Sequence, residues 1–109
     1  NERAILARKL WARRVADFIG QYFVRLGGAD MIIFSGGIGE NSSEYRELVL
    51  ERISEALGIV VDEAANNSIF GGKEGVISTK DSKILVAVIP TDEEVMIARD
   101  CYKALKGTL

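Results

Sequence analysis

An α/β fold with parallel strands flanked by helices is predicted by two apolar runs and by the turn and helical pattern that succeed each of them. Met31 to Phe34 and Ile84 to Ile89 are apolar without polar alternation, the pattern of strands buried on both faces of a parallel sheet. Each run stops at a turn, Ser35-Gly-Gly-Ile-Gly-Glu-Asn41 after the first and Pro90-Thr-Asp-Glu-Glu94 after the second, and a helical pattern begins at once. The order helix, strand, helix, strand, helix with short turns belongs to layered α/β proteins, whose ligands bind beyond the carboxyl ends of the strands. Two sheet strands are few for a self-sufficient sheet. The chain also opens on Asn1 rather than Met, with a helical pattern already under way at Glu2, so a piece of a longer protein is expected.

The first helix runs from Ala4 to Leu26. Its apolar positions Ile5, Leu10, Trp11, Val15, Phe18, Ile19, Tyr22, Phe23 and Leu26 cover more than one face, which predicts substantial burial. Trp11 and Tyr22 read either as core or as stacking platforms for a base; the helical spacing favours core. Gly27-Gly28 stops the helix and Asp30 leads into the first strand. In the glycine-rich turn, Asn41 is placed to cap the next helix with Glu44 as its capping-box partner. The turn is open to two readings, a tight strand-to-helix connection or a cradle for phosphate or ribose at a helix start. Its spacing matches neither common nucleotide fingerprint.

Tyr45, Leu48, Val49, Ile53, Ala56 and Leu57 form the inner face of the second helix, with Glu44, Arg46, Glu47, Glu51 and Arg52 solvated and Gly58 as its stop. Ile59 to Val61 reads as a short strand, and Asp62 as the cap of a helical turn reaching Asn66. Residues 67–80 read as a surface loop with Gly71, Gly72 and Gly75 and an extended piece near Val76-Ile77. After the second sheet strand, Thr91 to Glu94 opens a third helix with Val95, Met96, Ala98, Cys101, Tyr102 and Leu105 inward and Gly107 as its end.

The chain has 109 residues, 48% of them apolar, with a single proline, which suits one small globular domain. A net charge of −2 gives no reason to expect nucleic acid or membrane as a partner. Arg3, Arg8, Lys9, Arg13 and Arg14 read as the solvated face of the first helix. No apolar run reaches the length of a membrane span. Cys101 is the single cysteine, so no internal disulfide forms and a cytosolic setting fits. There is no histidine, which excludes a histidine general base, relay or metal ligand within these residues.

Two neighbouring acids differ in how well structure accounts for them. Thr91 and Glu94 fit a T-x-x-E capping box, whereas Glu93 has no such reason. Glu93 either complements the helix dipole or stands beside a Mg²⁺ that bridges phosphate oxygens. Cys101, on the apolar face without a neighbouring base, reads as core.

Three separate motifs, Phe34 to Ser42 (FSGGIGENS), Ile77 to Ser82 (ISTKDS) and Ile89 to Ala98 (IPTDEEVMIA), together resemble the carboxyl-terminal part of the acetate kinases. Asn1 to Ala4 and Leu26 to Asp30 match in the same order, so the resemblance covers essentially the whole chain. It implies a partial actin-like (ribonuclease H-like) ATPase domain, with residues 1–109 a carboxyl-terminal fragment of the C-terminal nucleotide-binding domain. The implied reaction transfers the γ-phosphoryl of ATP to acetate with Mg²⁺, giving acetyl phosphate and ADP, in a cytoplasmic homodimer. By the same resemblance, Gly37, Ile38, Gly39, Glu40 and Asn41 line the adenosine side of the site and Glu93 matches a magnesium-associated glutamate. The family more often has Thr at the place of Ser35 and Asn at the place of Asp92. Its catalytic histidine, arginines and aspartate match no position of this sequence. A propionate or butyrate kinase, and a noncatalytic nucleotide-binding or assembly module, remain alternatives.

Overall fold

The computed structural model describes residues 2–35 and 42–90, together with the backbone of 95–98. Helix α1 (Glu2–Arg25) ends where Gly27 and Gly28 adopt φ of 70° and 124°. The amides of Leu26, Gly27 and Gly28 turn back onto the carbonyls of Tyr22, Val24 and Phe23. Only glycine takes these backbone angles without strain, so the predicted stop operates through its conformational freedom.

Strand β1 (Met31–Phe34) comes next and is buried at every position. It pairs in parallel with β3 (Leu85–Val88), Met31 opposite Leu85 and Phe34 opposite Val88. Among the described residues the sheet has four strands in the order β2-β3-β1-β4, with β2 (Gly75–Val76) and β4 (Val95–Ala98) antiparallel at the two edges. The parallel centre is as predicted. The mixed edges are not, and β4 replaces part of the expected third helix. Val95 and Ile97 are β-branched, and pairing them with Ile32 to Phe34 satisfies backbone groups on the second edge of β1. Thr91 to Glu94, Cys101, Tyr102 and Leu105 lie outside the described residues.

Helix α2 (Ser43–Leu57) and the short α3 (Glu63–Ser68) connect β1 to β2. Asp62 caps α3 as expected, its Oδ1 accepting from the Ala65 amide at 3.0 Å. Gly58 closes α2 in the left-handed region at φ 71°. Residues 59–61 do not make the predicted strand: Val61 forms a lone bridge to Ser78, because Asp62 immediately turns the chain into α3. Gly71 and Gly72 sit in an exposed turn, in keeping with a surface loop.

The core lies on one face of the sheet, where Ile32, Phe34, Val86 and Val88 meet Ile19 of α1 and Val49, Leu50 and Ile53 of α2. Ala12 and Ala16 of α1 are buried in the same cluster, and such small side chains permit close approach of a second helix. Trp11 packs edge-on against Tyr45 at 4.8 Å between ring centroids, which makes it a packing residue. The substantial burial expected of α1 does not extend round the helix. Within the described residues Leu6, Leu10 and Val24 are 59%, 51% and 77% exposed, because α1 packs through one stripe.

Candidate functional site

The parallel register of β1 and β3 fixes the geometry of the candidate site. With Phe34 opposite Val88 and the Ile89 amide donating to the Phe34 carbonyl at 3.0 Å, residues 35 and 90 leave adjacent strands at the same end of the sheet. The glycine turn and the acidic turn therefore depart from one carboxyl edge, where α/β sheets bind ligands. Gly37, Ile38, Gly39, Glu40, Asn41 and Glu93 themselves lie outside the described residues.

Ser35, the last described residue before the turn, is fully buried and its Oγ has no hydrogen-bond partner among the described residues. Leaving such a group unsatisfied costs about 1–3 kcal/mol, so an orphaned hydroxyl at this edge suits a polar ligand atom. On the far side of the turn the helix cap is Ser42, not Asn41. Its Oγ accepts from the Tyr45 amide at 3.2 Å. The run Asn41-Ser42-Ser43 offers three capping side chains in a row, and the helix uses the second. With the cap one residue later, Glu44 leaves the capping-box position and pairs instead with Arg8 on α1 at 3.1 Å. That pair is exposed and contributes little stability.

Arg46 departs furthest from expectation. Read as solvated, it is fully buried. Its Nε donates to Asn66 Oδ1, and one terminal nitrogen to the carbonyls of Asn66 and Ile69, each at 2.7 Å. Asn66, 2% exposed, passes the connection on: its Nδ2 donates to the Ser43 carbonyl at 3.0 Å. Burial pushes the Arg46 guanidinium below its usual pKa, yet a group so basic keeps its charge. The sequence held a signal for this residue, since Arg46, Val49, Leu50 and Ile53 recur at the spacing of one helix face.

A groove of about 360 Å³ between α2 and the α3 region is lined by Glu47, Glu51 and Glu63 among others, and three carboxylates oppose a phosphate ligand there. Among the described residues no group of three or more acidic or cysteine side chains is arranged to hold a metal.

The sequence profile of the Acetokinase family matches residues 1–99. The chain belongs to the acetokinase family. An acetate kinase of Bacteroides thetaiotaomicron is 50% identical over 106 residues, which are 97% of this chain and 26% of that protein. The crystal structure of Porphyromonas gingivalis acetate kinase superposes with a TM-score of 0.78 at 43% identity, covering 84% of this chain and 23% of that one. A propionate kinase from Francisella tularensis superposes with a TM-score of 0.72 at 32% identity, covering 86% and 23%. The chain thus spans about a quarter of the length of the acetokinases it matches. Its fold is a partial actin-like ATPase domain, with helices and a small mixed sheet. No helix among the described residues is long and apolar enough to cross a membrane.

Proposed function

We propose that residues 1–109 are the carboxyl-terminal fragment of the C-terminal nucleotide-binding domain of an acetate kinase. In the complete polypeptide the reaction is transfer of the γ-phosphoryl of ATP to acetate, giving acetyl phosphate and ADP. Gly37, Ile38, Gly39, Glu40 and Asn41 form the wall against adenosine, and Glu93 contributes a carboxylate on the magnesium side. Bound Mg²⁺ supplies charge neutralisation at the phosphates. The observation that carries this reading is the departure of both segments from one carboxyl edge in a chain of this family.

Phosphoryl transfer depends on positioning and on cationic groups that clamp the transferred phosphoryl. This segment supplies positioning, and the family's clamp residues match nothing in it. The complete enzyme is proposed to be a cytoplasmic homodimer. The likeness to a propionate kinase favours a second acceptor, a longer acid, on the same scaffold.

The test is hydroxamate trapping of acyl phosphate by the complete polypeptide with acetate, propionate and butyrate, beside the isolated 109-residue chain. The expected result is acetyl hydroxamate from the complete polypeptide alone. Preference for propionate or butyrate would move the assignment to the second acceptor. No acyl phosphate with any acid would refute the kinase reading in favour of a noncatalytic nucleotide-binding module.

A further inference from the structure

We propose that Asn66, gripped by Arg46, is a positioning residue for ATP: the pair sets where the first turn of α2 stands and thereby where the nucleotide turn ends. The proposal rests on the reading of residues 37–41 as the adenosine wall. On its entry side that turn leaves Ser35, fixed by the sheet through the pairing of Phe34 and Ile89. On its exit side it enters α2 through Ser42 and Ser43, and the side-chain amide of Asn66 holds the Ser43 carbonyl from outside the helix.

Asn66 is held on one side by Arg46, itself a residue of the first turns of α2, and on the other by the frame of α3. Arg46 engages both its side-chain and backbone oxygens, and the Ile69 carbonyl as well. Helix α3, which carries Asn66, is tied back towards the sheet where the Asp62 amide donates to the Ile77 carbonyl at 2.8 Å and the Ile77 amide donates to the Val86 carbonyl at 2.8 Å. The exit of the turn is therefore referenced to β3 by a route that does not pass through β1. Buried charge and amide groups contribute little net stability compared with well-packed apolar ones, but their directional bonds fix geometry. Precise placement matters in a binding site, where a shift of about 1 Å costs on the order of a hundredfold in rate.

Three variants of the complete enzyme test the proposal, with KM for ATP, KM for acetate and melting temperature measured for each. Asn66→Leu removes both side-chain bonds. Asn66→Asp keeps an acceptor for Arg46, now charged, and turns a carboxylate oxygen instead of a donor on the Ser43 carbonyl. Gly39→Val perturbs the turn directly and reports on the underlying nucleotide reading. The expected result is that Asn66→Asp raises KM for ATP on the order of tenfold, leaves KM for acetate within about twofold and melts close to the parent. Should Asn66→Leu fail to fold, Asn66→Asp alone decides. A rise for Gly39→Val with none for Asn66→Asp would overturn the positioning role and leave the nucleotide reading intact. No change for Gly39→Val would overturn that reading and the proposal with it. Equal effects of Asn66→Asp on both substrates, or a fall in melting temperature alone, would reduce Asn66 to a structural residue.

Discussion

Asn41 and Ser42 are adjacent, chemically similar and predicted to fail differently. The structure gives the cap of α2 to Ser42, through one partly buried bond of 3.2 Å from the Tyr45 amide to its Oγ. Replacing a serine cap by alanine costs typically about 1 kcal/mol. With RT near 0.59 kcal/mol, that raises the population of the opened first turn by about fivefold. Ser42→Ala should therefore speed hydrogen exchange about fivefold in a peptide covering residues 43–50 of the complete polypeptide, while Ser42→Thr changes it little. Asn41→Ala should leave that exchange unaltered and weaken ATP binding. Mass spectrometry after timed deuteration reads the first quantity and ATP titration the second. Acceleration by Asn41→Ala with none from Ser42→Ala would show that the cap lies one residue earlier and would refute the reasoning.

Gly58→Ala should cost about 1–2 kcal/mol because of its left-handed φ of 71°, and Gly58→Asn less. The added Cβ would also meet Lys83 Cδ at 2.6 Å, Cγ at 3.0 Å and Cβ at 3.3 Å; rotation of the side chain relieves the first two and not the third, which adds to the cost of either variant, and a denaturation midpoint lower for Asn than for Ala would contradict this. Ser35→Ala should leave stability unchanged or raise it by up to about 1 kcal/mol, since it removes a buried hydroxyl that has no partner among the described residues. A clear loss in urea unfolding would reveal a bond there. Glu93→Ala in the complete enzyme should lower kcat and shift the remaining activity to higher Mg²⁺, whereas Glu94→Ala should not alter the Mg²⁺ requirement. Identical Mg²⁺ titrations for the two variants would remove Glu93 from the metal side.

The central strands were legible because strands largely buried on both faces show no polar alternation: Met31 to Phe34 and Val86 to Val88 are buried and Leu85 is half-buried. Asp62 was legible because a capping side chain acts on an amide three residues away, a purely local event. Val95 to Ala98 was not. Four apolar residues fit a helix face and a strand equally well, and the pairing with β1 that decides between them is distant in sequence. Arg46 escaped for the opposite reason: its charge outweighed its position on the apolar stripe, and its partners Asn66 and Ile69 belong to another element. Of the candidate site, the strand order made the anchors readable, while the residues that the motif resemblance assigns to it lie outside the described residues. Its capping detail was displaced by one residue, since three neighbouring side chains have nearly equal capping ability.

The pairing of β1 with β3 also governs the order in which the molecule can assemble. Met31 meets Leu85 only after everything between them, α2, α3 and β2, has been threaded across as a crossover. On a ribosome, β1 emerges well before its parallel partner, and its apolar backbone edge must wait through that interval. Helices α1 and α2, close in sequence and already in contact through the Ala12 and Ala16 stripe, can form first and shield one face of β1. Contacts of such long sequence separation slow folding, and an unpaired apolar strand is a hazard while they form. Synthesis speed between residues 35 and 85 should therefore affect the yield of soluble protein more than synthesis speed within α1, although no residue of the finished fold is changed.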